Sequence, residues 1–123
     1  MTVNSSDFIE LAEVALSSDN TSEINIRSAG SRAYYGVYHK AREIIEEKKL
    51  PTVMIDNSGS HESLIATLYS IGTVNAKSVA EGVRSMKKFR HLCDYHLGES
   101  VKAKRAKMKV LEARLLIDRM ERL

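Results

Sequence analysis

"RSAGSRAYYGVYHKAREI", residues 27–44, is the stretch that decides the fold class. Apolar residues recur within and just before it at steps of three and four positions, the spacing of one face of an α-helix. They are Ile26, Ala29, Ala33, Val37, Ala41 and Ile44. The stretch lacks the alternation of apolar and polar residues that would indicate a strand. The pattern predicts a long helix, which Ser22 can cap and which extends to about Lys49.

Four more helices are predicted around this one, because apolar residues recur at helical spacing in the rest of the chain too. A polar turn separates the first helix from the second. A loop with the only proline, which we expect to be mobile, precedes the third. Ser5 or Ser6 is the predicted cap of the first helix, the turn is at 17–22 and the loop is at 50–60. The third helix is predicted at about 61–71, where Gly72 ends it, and the fourth from about Asn75 to Leu97, where Gly98 ends it. The fifth is predicted from Glu99 to the end.

Length and composition favour one globular domain over residues 1–123. Hydrophobic residues make up 43% of the chain and charged residues 28%, which is typical of a folded protein and not of a disordered one. The net charge of +3 is only a mild lean towards acidic partners. Taken with the helical patterns, these values predict an all-α, up-and-down bundle of about five helices.

The chain carries no sign of export or of a membrane span. Cys93 is the only cysteine, so no intrachain disulfide is expected, and a lone cysteine fits a reducing cytoplasm. Residues 1–7 are polar and do not resemble a secretory signal. No apolar stretch approaches the roughly 20 residues that a membrane-spanning helix needs. We therefore expect a cytoplasmic protein without a membrane segment.

The predicted last helix has two apolar stripes, and only one of them can face the core of a small bundle. The second stripe is covered either by another subunit or by a central position of this helix within the bundle. The first stripe consists of Ala103, Ala106, Val110, Ala113, Ile117 and Met120, and the second of Val101, Met108, Leu111 and Leu115.

"FRHLCDYHL", residues 89–97, places Arg90 on the apolar face of the fourth helix. Its neighbours at helical spacing include Val83 and Met86. An arginine cannot lose its charge, so this position needs either a charged partner or a bound anion. Asp94, one turn further on, can form a structural ion pair with it. Alternatively, the planar guanidinium can line a groove that binds phosphate.

Two histidines near Arg90 are candidates for acid and base chemistry, which an imidazole can perform without a metal. On an unbroken helix the side chain of His96 points about 240° away from that of Arg90. The two meet only if the helix ends or bends before His96, or if a second subunit supplies one of them. Arg84, Lys87 and His91 share another stripe, which is either a phosphate-contacting surface or an ordinary solvated face.

The second helix has a polar stripe that includes Arg32, Tyr35 and His39. Aromatic rings interleaved with a cation can stack nucleic-acid bases and hold phosphates. The alternative is that these residues pack half-buried with only their polar tips at the surface. No metal site is predicted, because no matching ligand set accompanies any of the four histidines in the sequence.

Residues 27–44 strongly resemble the second-helix signature of HEPN domains, small helical proteins of prokaryotic toxin–antitoxin and defence systems. Residues 89–97 resemble the later HEPN segment, in which an arginine is followed by a small residue and Asp-Tyr. The match in helix order covers nearly the whole chain. The resemblance implies an HEPN-like helical bundle.

Many HEPN domains are metal-independent endoribonucleases with an arginine, a polar residue and, after roughly four to six positions, a histidine. Arg90, His91 and His96 fit this pattern. The resemblance implies a homodimer that joins two such motifs in one cleft. His96 would help to transfer protons while the RNA 2′-hydroxyl attacks the phosphate, Arg90 would steady the developing charge, and His91 would orient or assist.

The resemblance leaves two hypotheses open. The first is a dimeric ribonuclease without a cofactor, a toxin or defence effector that a cognate antitoxin restrains. The second follows from the Asp-Tyr form, which also occurs in HEPN members that resemble non-catalytic modules. In that case Arg90 and Asp94 form a structural pair, His96 is incidental, and the chain binds a nucleotide or a partner such as a nucleotidyltransferase-type protein.

Overall fold

The structure, a computed structural model, describes residues 2–56 and 59–123. The described residues form five α-helices and no strand. Their bounds are Ser5–Ala15 (α1), Glu23–Glu47 (α2), Ser60–Ser70 (α3), Val74–Tyr95 (α4) and Ala103–Met120 (α5). The prediction of an all-α bundle of five helices is confirmed. Asn57 and Ser58, in the predicted loop at 50–60, lie outside the described residues.

Helix α2 lies at the centre of the bundle, where it packs against α1, α4 and α5. Helix α3 packs mainly on α4. The apolar face that periodicity predicts for α2 is buried at every one of its positions from Ile26 to Ile44. Removing these side chains from water is the main contribution of α2 to stability.

A second face of α2 docks on α4, and small residues allow the close approach. A Cβ atom added to Gly30 would lie 2.7 Å both from the sulfur of Cys93 and from the ring of Phe89. A larger side chain would therefore push the two helices apart. The residues of this face follow the three- and four-residue spacing of one helix side and are Arg27, Gly30, Ser31 and Tyr34.

Arg27 is a buried arginine, only 3% exposed, that joins α2 to the end of α4. Its guanidinium donates to the carbonyl oxygens of Leu92 at 3.2 Å and Cys93 at 3.1 Å, and also to that of Glu99. Its Nε donates to the carboxylate of Glu23 at 3.2 Å. The carbonyls at a helix C-terminus lack partners within the helix and carry its negative dipole end, so a cation is favoured there.

The end of α4 and the start of α5 differ from the prediction. Helix α4 ends at Tyr95 and not at Leu97, and α5 begins at Ala103 and not at Glu99. The connection between the two helices contacts the Arg27 side chain, because the Glu99 carbonyl accepts a hydrogen bond from its guanidinium. Val101, predicted as part of a helical stripe, is instead buried in this connection. A tertiary contact thus holds the end of α4 and the connection after it, which local glycine placement does not reveal.

Two other helix ends are set by side-chain caps. Ser22 caps α2 as predicted and accepts a hydrogen bond from the amide of Asn25. The cap of α1 is Asn4, which forms a capping box with Asp7, so the prediction of Ser5 or Ser6 is wrong by one or two positions. Gly72, with φ of 85°, follows α3 in the left-handed conformation that glycine tolerates.

One apolar stripe of α5 is packed inside the bundle, and the other remains on the surface. Ala106, Val110 and Ala113 of the first stripe are buried. In the second stripe, Met108 is 65% exposed, Leu111 61% and Leu115 49%. The alternative that α5 is the central helix, with both of its stripes buried, is wrong, because α2 is the central helix.

None of the helices within the described residues is both long enough and apolar enough to cross a membrane.

Replacing Arg27 should destabilise the fold. We expect Arg27→Ala to lower the free energy of unfolding by about 3 kcal/mol, because buried carbonyl groups lose a charged donor. Urea denaturation followed by circular dichroism measures this change. The control is Arg42→Ala on the exposed side of the same helix, which should cost less than about 1 kcal/mol. Equal losses for the two variants would contradict the role of Arg27.

Candidate functional site

A cationic groove of about 580 Å³ lies where the end of α4 meets the start of α3 and of α5. It combines four cationic side chains and two imidazoles with two carboxylates and one leucine. Such a lining suits a ligand with several negative charges. The residues that line the groove are Glu62, Arg84, Lys87, Lys88, His91, Leu92, His96, Glu99 and Arg105.

His91 and His96 lie side by side in this groove, with their ring centroids 5.3 Å apart. Five positions would separate their directions widely on a continuous helix. Helix α4, however, ends at Tyr95, and His96 leaves it with φ of −95° and ψ of 69°. Both side chains are exposed to solvent. Helix α4 thus ends before His96, one of the two possibilities stated for this segment, and His96 then lies beside His91.

Arg90 is not one of the described residues that line the groove. Its side chain is only 12% exposed, and its Nη1 lies 3.6 Å from the carboxylate of Asp94. Its Cζ lies 5.5 Å from the ring centroid of Tyr34 and 5.9 Å from that of Tyr95. In a single chain the guanidinium is therefore held by Asp94 and tyrosine rings and not by His96.

The Nε atom of Arg90 is buried and has no hydrogen-bond partner among residues 2–56 and 59–123. Buried polar groups without partners are rare in folded proteins, and each one costs free energy. Arg90 shares its partner, because Ser31 donates at 3.1 Å to the same Asp94 carboxylate oxygen that Arg90 Nη1 approaches. The predicted Arg90–Asp94 pair exists, but it satisfies the guanidinium only in part.

Arg84 and Lys87 both line the groove, on the helical stripe that the sequence predicts. Both contact Glu62 of α3, with Nζ of Lys87 at 2.5 Å and Nη1 of Arg84 at 3.6 Å from its oxygens. The hydrogen bond from Lys87 is the main reason that the pKa of Glu62 lies below its ordinary value. The ionised Glu62 carboxylate therefore offsets part of the positive charge of the groove.

Arg32, Tyr35 and His39 lie outside the groove. Arg32 and His39 contact Phe8 of α1, whereas Tyr35 lies between Arg32 and Arg90 of α4. The Cζ of Arg32 is 5.5 Å from the Tyr35 ring centroid and 5.9 Å from that of Phe8. The His39 ring lies 5.2 Å from Phe8. Burial, and then the charge of Arg42, lower the pKa of His39. The structure thus keeps the predicted stripe together but places it on the α1–α2 surface.

Tyr34 and His61 form a contact that helical spacing within either segment does not predict. The Tyr34 hydroxyl lies 2.5 Å from Nδ1 of His61, whose ring also stacks on Tyr38 at 4.6 Å. Burial, followed by the charges of Arg90 and Lys87, lowers the pKa of His61, and burial raises that of Tyr34. A neutral imidazole that accepts from a protonated phenol fits both shifts. No local signal could reveal this pair, because its members lie on different helices.

A larger cavity of about 730 Å³ lies between the end of α2 and the start of α3. It contains no histidine and is lined mainly by apolar and hydroxyl side chains. No group of three or more His, Cys, Asp or Glu residues in ranges 2–56 and 59–123 is placed to hold a metal ion. The cationic groove is therefore the best candidate site in the described chain.

No protein-family model matches the chain, and no curated protein is significantly similar to it. The HEPN resemblance of residues 27–44 and 89–97 therefore stays a prediction.

Removing the Glu62 charge should strengthen polyanion binding. We expect Glu62→Gln to raise the affinity for a labelled RNA oligonucleotide by about threefold, because Lys87 and Arg84 then turn to phosphate oxygens. The dependence of affinity on salt should become steeper, and fluorescence anisotropy at several salt concentrations measures both effects. Glu13→Gln is the matched control, since Glu13 is also paired with an arginine, Arg114, but lies outside the groove. Unchanged binding by Glu62→Gln would exclude the groove as the polyanion site.

Proposed function

We propose that the chain is a metal-independent endoribonuclease of the HEPN type. The observation that carries the proposal is the pair of imidazoles, His91 and His96, 5.3 Å apart within a groove rich in lysine and arginine. A pair of imidazoles can supply both a general base and a general acid. The surrounding cations suit a phosphate backbone. The HEPN resemblance extends the proposal to a toxin or defence effector that a cognate antitoxin or a nucleotidyltransferase-type partner restrains.

The proposed reaction is an internal transfer at one phosphate. One imidazole takes the proton from a ribose 2′-hydroxyl as its oxygen bonds to the adjacent phosphorus. The bond from phosphorus to the 5′-oxygen then breaks, and the other imidazole gives that oxygen a proton. Lys88 and Arg105, which line the groove, stabilise the negative charge that develops on the phosphate oxygens. The products are a 2′,3′-cyclic phosphate and a 5′-hydroxyl.

Arg90 has two proposed parts in this reaction. Within its own chain it is a positioning residue, because its guanidinium contacts the Tyr95 ring, which lies 4.9 Å from His91. The direct role implied by the HEPN resemblance, steadying charge on the phosphate, is proposed for the composite cleft of a homodimer. The cleft then gives the partly unsatisfied guanidinium an anion to bind.

Loss of either imidazole should stop RNA cleavage. We expect His91→Ala and His96→Ala each to reduce the rate by about 10²–10⁴-fold, the usual contribution of a positioned acid or base. EDTA should have no effect.

The assay follows a labelled RNA on a denaturing gel, and His39→Ala, outside the groove, is the control. Cleavage by His96→Ala at the wild-type rate, or intact RNA with the folded wild-type chain, would rule out the proposed nuclease.

A non-catalytic HEPN module is the second candidate, and the Arg90–Asp94 contact at 3.6 Å favours it. This pair is the arrangement expected when Arg90 has a structural role and His96 is incidental. The chain would then bind a partner protein or a nucleotide through the same end of α4. Its sign would be a stable complex that forms while added RNA remains intact.

A homodimer is part of the proposal, and the exposed stripe of α5 is its candidate interface. Met108, Leu111 and Leu115 form one apolar face opposite the core side of α5. The exposed residues Lys104 and Asp118 lie seven positions before and seven positions after Leu111. In an antiparallel pair of α5 helices with a two-fold axis at Leu111, each Lys104 faces the Asp118 of the other copy.

Reversing these charges tests the dimer. We expect Lys104→Asp and Asp118→Lys each to weaken dimerisation by roughly tenfold, because like charges then face each other across the axis. The double variant should restore the wild-type dimer, and sedimentation velocity at several concentrations measures all four chains. Lys77→Asp, an exposed change on α4, is the control. A wild-type chain that stays monomeric, or a double variant as weak as the single ones, would contradict this interface.

A further inference from the structure

We propose that the cavity between the end of α2 and the start of α3 binds a small amphipathic anion, of which a straight aliphatic carboxylate is the simplest form. The cavity has a volume of about 730 Å³, within the range of sites that hold small molecules. It shares no lining residue with the cationic groove. The proposed ligand is therefore independent of the proposed nuclease and adds a second site to the chain.

Much of the cavity surface is apolar. Ile45 of α2 and Leu64 of α3 are buried core residues that also line the cavity, and Leu50 and Val53 are half-buried beside it. Met54 lines the cavity as well and is 79% exposed, although its side chain is large, flexible and apolar. A ligand with an aliphatic body would cover these surfaces, and their removal from water would favour binding.

Two hydroxyl groups of α3 hold the segment that forms one side of the cavity. The Thr67 hydroxyl accepts a hydrogen bond from the amide of Val53 at 2.9 Å, and the Ser63 hydroxyl accepts one from the amide of Ile55 at 3.2 Å. Thr67 also donates to the Ser63 carbonyl, so its hydroxyl is used in both directions. Because these polar groups already have partners, a ligand would meet mainly the apolar surfaces and the charged side chains.

Three charged side chains of α2 line the cavity from one helical stripe. They are Arg42, Glu46 and Lys49, and all three are exposed. None of them forms an ion pair with a side chain of residues 2–56 or 59–123. Two cations and one carboxylate leave a single net positive charge, which suits a ligand with one negative charge and not a polyanion.

Lys49 lies in a backbone conformation that favours glycine. Its φ is 51°, and it is the only non-glycine residue with a positive φ in ranges 2–56 and 59–123. The amide of Leu50 donates to the carbonyl of Ile45 at 3.0 Å, as expected at a helix end whose left-handed residue is usually glycine. A Cβ atom there costs free energy, and such strain concentrates at functional sites. In the proposed complex the Lys49 ammonium binds the carboxylate of the ligand.

Octanoate, a straight-chain carboxylate, is the probe that tests the proposal. Isothermal titration calorimetry compares it with butyrate and octylamine, all below the concentrations at which micelles form. We expect octanoate to bind at least about tenfold more tightly than butyrate, which has four methylene groups fewer to bury. It should also bind at least about tenfold more tightly than octylamine, whose charge has the opposite sign. Absence of octanoate binding, or equal affinities for the three molecules, would overturn the proposal.

Methyl NMR of the methionines locates the probe. We expect octanoate to shift the Met54 methyl signal and to leave that of Met108 unchanged, because Met54 lines the cavity. Met108 is the matched comparison, since it is also strongly exposed but lies on the apolar stripe of α5. A shift at Met108 without one at Met54 would place octanoate on that stripe and contradict the proposal.

Two charge variants test the anchoring side chains. Arg42→Gln and Lys49→Gly should each weaken octanoate binding by about threefold, and Lys77→Gln, an exposed change on α4, should have no effect. Lys49→Gly should at the same time raise Tm by about 3 °C, because glycine relieves the backbone strain. Weaker binding by a more stable chain separates loss of the cation from loss of the fold. Octanoate affinity that stays at the wild-type value in both Arg42→Gln and Lys49→Gly would refute the proposed anchoring.

Discussion

The buried guanidinium of Arg27 is the interaction on which the rest of this structure depends. A charge withdrawn from water is costly unless hydrogen bonds and opposite charge compensate it. Here the carbonyls of Leu92, Cys93 and Glu99 and the carboxylate of Glu23 supply both. These carbonyls belong to a helix end and to the turn beyond it, where the negative end of the helix dipole favours a cation. The same contact thus satisfies a buried cation and fixes where α4 stops.

The end of α4 determines which side chains meet. Because the helix stops at Tyr95, His96 turns back beside His91 in the cationic groove. Arg90 points the other way, beneath the tyrosine rings and against Asp94. The permanent cation and the imidazoles therefore occupy neighbouring but separate surfaces, and Tyr95 contacts both. Tyr95 thus separates the buried cation from the proposed reacting groups.

The sequence predicts features that depend on helical spacing within one segment. The buried face of α2, the Ser22 cap and the shared stripe of Arg84, Lys87 and His91 all follow from such spacing. Contacts between segments are different. Arg27 reaches carbonyls 65 and 66 positions further along the chain, and Tyr34 meets a histidine on another helix. Periodicity within one segment does not encode contacts between segments. The sequence alone therefore could not predict where α4 ends or that His96 lies beside His91.

The central claim is that two imidazoles cut RNA through its own 2′-hydroxyl. Mass spectrometry of the products, after incubation of the purified chain with a single-stranded RNA in EDTA, tests it most directly. The account predicts fragments that end in a 2′,3′-cyclic phosphate and begin with a 5′-hydroxyl, and no cut at a position where one ribose is replaced by deoxyribose. Fragments with 3′-hydroxyl ends, or cleavage at the deoxyribose position, would contradict it.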